Sequence, residues 1–170
     1  MRASSRLPCE SRSMHLVFSE CFVMTIILLG IGNSLHSDDG AGPCLADLLS
    51  KNPDITAFNC GTAPENFTGN VRRLAPGLLI IADAAEMGLP PGSVRIIPPE
   101  RIHDTAVGTH MLPLYHLVDF LAGVSPKIII IGIQPESLAL GEILSESVLS
   151  SLNELSVIIA EKNLTKIPAL

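Results

Sequence analysis

The sequence predicts an α/β fold, a three-layer sandwich in which a twisted, mostly parallel five-stranded sheet carries helices on both faces. The strand candidates are short, rich in β-branched residues and apolar throughout, which is typical of strands covered on both sides. Helical patterns alternate with them, as in folds with a parallel sheet. The 170 residues are 47% apolar and 16% charged, enough to form one hydrophobic core without disulfides.

The elements follow one another along the whole chain. Strands are predicted at residues 25–31, 55–60, 78–83, 93–97 and 127–133. Helices are predicted at 43–50, 64–74, 111–121 and 146–159. Because Pro43 suits the first turn of a helix, Asp38 and Asp39 are expected in the loop between the first strand and the first helix.

Composition and length limit the domain organisation and the partners. We expect residues 1–23 to be an extension outside the domain and residues 24–170 to form that domain. The net charge of -6, with acids spread along the chain, argues against nucleic acid. The longest apolar runs fall far short of the roughly 20 residues of a membrane-spanning helix. The four cysteines form no CxxC pair and predict reduced thiols. A cytoplasmic monomer is the expectation.

Polar residues stand where three predicted strands give way to loops. Asp38 and Asp39 lie in the stretch GIGNSLHSDDGAG, Asp83 ends LLIIAD, and His110 belongs to GTH after the fourth strand. In an open α/β sheet, ligands bind in the crevice outside the carboxyl ends of the strands. We therefore expect these side chains to converge there.

Other interpretations of these residues remain open. A dinucleotide site is disfavoured because the third glycine of GxGxxG would be Leu35 and because two carboxylates stand where a pyrophosphate would bind. Neighbouring acids in an extended segment point to opposite faces, so only one should face the cleft, although both can simply cap a helix. Asp83 can tie down its own loop. His110 can be structural, and His36, His103 and His116 are weaker candidates still.

Two carboxylates and one imidazole form an oxygen and nitrogen donor set that suits a divalent ion such as nickel, zinc or manganese. Three protein ligands leave coordination positions open for water or substrate. Such a site can polarise a carbonyl group and supply a metal-bound hydroxide. From the residues alone, the prediction is a metal-binding α/β protein with possible hydrolase activity.

Several stretches occur together in an order and spacing that resemble one family. The quoted motifs are GIGNSLHSDDGAG, CGTAPEN, LIIADAAEMG, GLPPGSVRII, GTHMLPL and GIQPES. From Met24 to about Ala160, the chain resembles the nickel-iron hydrogenase maturation endopeptidases, most of all the subgroup that processes the large subunit of hydrogenase 3. The resemblance implies an enzyme that removes a C-terminal extension from the nickel-loaded precursor of a nickel-iron hydrogenase large subunit.

The resemblance also implies roles for particular residues. Asp39, Asp83 and His110 are expected to contact the metal and to carry catalysis, whereas Asp38 is expected to support the loop. Nickel is expected to arrive with the precursor, and another divalent cation can substitute for it in a crystal. The family has been grouped with both aspartic and metallopeptidases, so the role of an Asp as general base stays open. The alternatives are a non-catalytic nickel-dependent chaperone of the large subunit and a peptidase related to the spore proteases.

Two further stretches are expected to shape the same cleft. Gly30, Gly32 and Asn33 would shape the loop, with Gly32 allowing close backbone approach and Asn33 tolerating a left-handed conformation, unless they form only a plain turn. The run from Gln134 to Glu136 either lines the cleft and contacts the substrate or forms an ordinary strand-to-helix turn.

Overall fold

The structure, a computed structural model, describes residues 25–98, 101, 106–107, 114–141 and 143–170. The described residues form six strands, namely β1 (Ile26–Ile31), β2 (Ile55–Gly61), β3 (Leu78–Glu86), β4 (Val94–Ile97), β5 (Ala106–Val107) and β6 (Ile128–Ile133). They also form four α-helices, namely α1 (Ala41–Leu49), α2 (Thr68–Leu74), α3 (Leu114–Leu121) and α4 (Glu146–Ala160). Short 3₁₀ helices occur at Ser37–Gly40, Pro64–Phe67 and Leu164–Lys166. The predicted extension, residues 1–23, lies outside the described residues, and so does His110.

The strands form one mixed, mostly parallel sheet, as predicted. The order is β2-β1-β3-β6-β4, in which the first four strands are parallel and β4 runs antiparallel to β6. The two-residue strand β5, which the sequence pattern did not predict, pairs antiparallel with the end of β3. A run of only two residues carries too little periodicity to be recognised.

The two faces of the sheet carry separate hydrophobic clusters, which explains why the strands are apolar throughout. Alternate residues of each strand point to opposite faces. Leu28 and Ile80 pack on the side of α1 and α4. Leu29 and Ile81 pack on the side of α2 and α3. The predicted three-layer sandwich is therefore confirmed.

The strand β3 extends past its predicted end. We placed Asp83 at the end of this strand, but the strand continues to Glu86. It continues because β6 pairs with it as far as Ala84 and β5 pairs with its last two residues. The neighbour β1 stops pairing with β3 at the level of Gly30 and Ala82, so Asp83 lies one residue beyond that point.

The last residues of the chain cover the edge strand β4. The backbone N–H of Ile96 donates to the carbonyl oxygen of Pro168 at 2.9 Å, and Leu170 N–H donates back to the carbonyl of Ile96 at 3.0 Å. Sheet edges with open hydrogen-bonding groups invite association with other chains. This terminal segment pairs part of that edge.

In the described part of the chain, no helix has the length and apolar character to cross a membrane.

Candidate active site

The loop after β1 is held against the sheet by close contacts between backbones. An added Cβ on Gly42, in the first turn of α1, would lie 2.2 Å from the carbonyl oxygen of Ile31 and 2.5 Å from that of Ala82. Only glycine permits this approach. The start of α1 thus sits directly on the ends of β1 and β3, which carries the preceding acids to the carboxyl edge of the sheet.

Gly32 and Asn33 shape the same loop, Gly32 through its backbone and Asn33 through its side chain. Gly32 has φ +146°, and a Cβ there would come within 1.8 Å of the Asp39 carbonyl oxygen, so the predicted close approach is present. Asn33 does not use its tolerance for a left-handed conformation, which Ser37 adopts with φ 45°. The side chain of Asn33 instead accepts a hydrogen bond from the Leu35 N–H at 3.1 Å.

Asp38 and Asp39 lie in the 3₁₀ turn Ser37–Gly40, not in the extended segment that we expected. Both are buried, with exposed fractions of 0% and 4%. Neither side chain caps α1, whose start has no side-chain cap, so the alternative in which these acids cap this helix is excluded. In the tight turn, the two acids have entirely different partners.

Asp38 binds the segment that leads into α4. Its carboxylate accepts four hydrogen bonds from the backbone of Glu136 (2.8 Å), Ser137 (3.2 Å) and Ser145 (2.7 Å), and from the Ser145 hydroxyl (2.9 Å). Ser145 is in turn the N-cap of α4. Asp38 therefore supports the loop, as the resemblance implied, and its acceptor positions are used within the protein.

Asp39 faces a cavity. Its Oδ2 accepts a hydrogen bond from the backbone N–H of Asn33 at 3.0 Å, which fixes the orientation of the carboxylate. A cavity of about 310 Å³ is lined by Asn33, His36, Asp39 and Leu138. Asp39 is thus presented to a space that a ligand can enter.

Asp83 lies on β3, the strand that the 3₁₀ turn with Asp39 contacts. It is buried, with 1% of its surface exposed, and it pairs with Gly132 of β6. Since Ile81 and Ala85 belong to the cluster on the side of α2 and α3, alternation places the Asp83 side chain on that side too. The 3₁₀ turn that carries Asp39 contacts β3. Two buried carboxylates therefore reach the same edge of the sheet from different elements.

The third predicted ligand falls outside the described residues. His110 falls in the chain between β5 and α3. Among residues that the structure describes, no three His, Cys, Asp or Glu side chains are grouped closely enough to hold a metal ion. The set Asp39, Asp83 and His110 remains a prediction.

Gln134 and Glu136 form a turn rather than an open binding surface. The Oε1 of the buried Gln134 accepts from the backbone of Met87 (2.7 Å) and Leu89 (3.2 Å), and its Nε2 donates to Glu86 at 2.9 Å. Glu136 accepts from the Ser147 hydroxyl at 3.0 Å. Of the two interpretations of this run, the structure favours the strand-to-helix turn.

His36, which we ranked below His110 from the sequence, lines the cavity together with Asp39.

A protein-family model for hydrogenase maturation proteases, named HycI, matches residues 44–162. The chain belongs to this family. The hydrogenase 3 maturation protease of Escherichia coli K12 is 43% identical over 116 residues, which cover 66% of this chain and 74% of that protein. A putative hydrogenase maturation protease of Methanocaldococcus jannaschii is 32% identical over 155 residues, 83% of this chain and 92% of that protein.

Solved structures agree with the family assignment. The solution structure of the endopeptidase HycI from Escherichia coli superimposes with a TM-score of 0.78 at 33% identity, covering 86% of this chain and 97% of that one. HycI from Thermococcus kodakarensis gives 0.73 at 33% identity, with 81% and 91% covered. The resemblance to endopeptidases that process the C-terminus of a hydrogenase large subunit is confirmed. This maturation protease is thus a hydrolase.

Proposed function

We propose that this protease removes a C-terminal extension from the precursor of a nickel-iron hydrogenase large subunit only after nickel has been inserted. Nickel is the substrate's cargo in this proposal. Asp39, Asp83 and His110 would complete its coordination and place the scissile peptide bond beside it. The observation that carries the proposal is the arrival of two buried carboxylates, from different elements, at one edge of the sheet.

The donor chemistry of these residues fits the metal. Carboxylate oxygens and an imidazole nitrogen are ligands that borderline divalent ions accept. Asp39 is held through Oδ2 by the Asn33 N–H, so its second oxygen can serve a ligand without a change of rotamer. Gly42 fixes the turn to β1 and β3, which sets the position of Asp39 relative to Asp83.

Dependence on nickel follows from a difference in affinity. Three ligands with open positions bind a metal-loaded partner more strongly than an empty one, because only the loaded precursor brings a cation to them. The protease would then act as a checkpoint for metal insertion. We further propose that it works in the cytoplasm as a monomer, with the thiols of Cys44 and Cys60 unpaired as they are in the structure.

The test is cleavage of the large-subunit precursor from the same organism, prepared with and without nickel, followed by intact mass. Only the loaded form should lose its C-terminal peptide. Asp39→Asn and Asp83→Asn should abolish processing, while Asp119→Asn on the exposed side of α3 is the matched control. Normal cleavage by either site variant would sink the ligand assignment. Binding of the loaded precursor without any cleavage by the wild type would favour the chaperone instead.

A further inference from the structure

Three large apolar side chains are exposed on or next to the two segments that border the cavity beside Asp39. Leu35 is 55% exposed, Leu140 is 81% exposed and Ile143 is 85% exposed. Single exposed apolar residues are common on protein surfaces, whereas neighbouring ones that form a patch mark a site of interaction. These three residues are called the apolar rim below.

Backbone hydrogen bonds join the two segments of the rim. The N–H of Gly141 donates to the carbonyl oxygen of Leu35 at 2.9 Å, and the N–H of Ser37 donates to the carbonyl oxygen of Gly141. His36 and Gly141 form a parallel β-bridge. The residues just before them, Leu35 and Leu140, therefore lie side by side on neighbouring strands.

The apolar rim is continuous with the cavity. His36, next to Leu35 in the chain, and Leu138, two residues before Leu140, both line the cavity together with Asp39. A polypeptide that enters this cavity therefore passes beside the two leucines of the rim.

The rim is held in place and is surrounded by uncharged residues. Asp38 accepts hydrogen bonds from the backbone of Glu136 and Ser137, where the second segment begins. Residues 32–37 and 137–141 contain no Asp, Glu, Lys or Arg. The centres of protein interfaces are depleted in charged residues, and a surface that is already ordered loses less entropy when it binds. The rim therefore has the composition and the rigidity of a contact surface.

The size of the cavity and of the rim indicates the kind of partner. A cavity of about 310 Å³ has the volume of a small-molecule pocket, so a protein substrate must also make contacts outside it. A stable complex buries about 800 Å² on each partner, much more than three side chains supply. The rim thus fits a transient contact with a substrate better than a lasting contact with a second copy of this chain.

We propose that the apolar rim binds an apolar surface of the large-subunit precursor beside its C-terminal extension, and so brings the scissile bond to the cavity at Asp39. The inference rests on the proposed function in one respect, the cleavage of this precursor, and it requires neither nickel nor a particular set of ligands. Because the rim contacts protein and not metal, its contribution should be the same for the nickel-loaded and the empty precursor.

The test is the binding of both forms of the precursor to the full chain, measured by surface plasmon resonance. The rim variant carries Leu140→Ser and Ile143→Ser. The matched control carries Leu48→Ser and Val157→Ser, which are exposed in the last turns of α1 and α4. We expect the rim variant to raise Kd by about tenfold or more for both forms, since each Leu or Ile side chain that an interface fully buries contributes about tenfold or more. The control should bind like the wild type.

Steady-state cleavage separates docking from catalysis. The rim variant should raise KM for the precursor by more than it lowers kcat, and its midpoint of urea unfolding should stay close to that of the wild type. Unchanged Kd and KM in the rim variant would overturn the inference. A wild-type dimer that becomes a monomer in the rim variant, with Kd for the precursor unchanged, would also overturn it and would assign the rim to a second copy.

Failure of the proposed function gives a different result. If the wild type binds and cleaves the loaded and the empty precursor equally well, the dependence on nickel is wrong. The rim variant should still raise Kd for both forms by the same factor, which would support the inference on its own.

Discussion

Replacing Asp38 should destabilise the fold, whereas replacing its neighbour Asp39 should leave the fold nearly intact. Asp38 is fully buried and accepts four hydrogen bonds from the segment that leads into α4. Asp39 accepts one, from Asn33. Two adjacent residues of the same type, both buried, thus form a matched pair for the same substitution.

The size of the effect follows from the groups left behind. In Asp38→Ala, three backbone N–H groups and one hydroxyl lose their acceptor, and a buried donor without a partner costs about 1–3 kcal/mol. Glu136 and Ser137 are exposed, so water can replace part of the loss. We therefore expect the free energy of unfolding to fall by about 3 kcal/mol for Asp38→Ala. The amide of Asp39→Asn still offers an oxygen to the Asn33 N–H, so this change should cost under about 1 kcal/mol.

Urea unfolding followed by far-ultraviolet circular dichroism measures the difference. With a slope of about 1–3 kcal/mol per molar urea, a loss of 3 kcal/mol lowers the midpoint by at least about 1 M. Asp39→Asn should unfold close to the wild-type midpoint while it fails to process the precursor. Equal midpoints for Asp38→Ala and Asp39→Asn would refute the assignment of Asp38 as the structural member of the pair.

Three further outcomes are expected. Gly42→Ala should lower the free energy of unfolding by about 2 kcal/mol or more despite the better helix propensity of alanine, because its Cβ meets the backbone of two strands. Gly69→Ala in α2, where a Cβ meets nothing within 4 Å, should instead stabilise the fold by up to about 1 kcal/mol, and the midpoints of urea unfolding measure both changes. Gln134→Leu should lower the thermal midpoint by several degrees on a calorimetric scan. It removes the acceptor for two backbone N–H groups and the amide donor to the Glu86 carboxylate. Burial raises the pKa of the Cys60 thiol from 9.0 to about 12. The thiol therefore ionises at a lower pH in the unfolded chain than in the folded one, and the free energy of unfolding should fall as the pH rises above about 9. In Cys60→Ala, the urea midpoint should fall less than in the wild type between about pH 8 and 10.

The sequence predicted the main layers because their signal is local. Strands covered on both faces must be apolar throughout, so β1, β3 and β6 stand out without knowledge of their partners. The extension of β3 to Glu86 depends on pairing with β5 and β6, which lie about 20 residues or more away in the chain. No pattern within a strand carries that information.

The residue types of the candidate site and its place at the sheet edge could be predicted from the sequence. The residue patterns alone did not show which of the two neighbouring acids holds the loop and which faces the cavity. The resemblance separated Asp38 from Asp39, and the structure supplies the physical reason. The groups that bind Asp38 lie about 100 residues away, between Glu136 and Ser145. The same holds for His36, whose ring contacts the distant carbonyl of Leu138.

These long-range contacts connect the structural acid to the cavity. Asp38 binds the backbone of Glu136 and Ser137, and the next residue, Leu138, accepts the hydrogen bond that fixes the ring of His36. Loosening the first contact should therefore release the second. In Asp38→Asn, which retains a buried polar group but places an amide N–H against backbone donors, precursor cleavage should slow even though neither Asp39 nor Asp83 has been changed, because Leu138 lines the cavity beside Asp39.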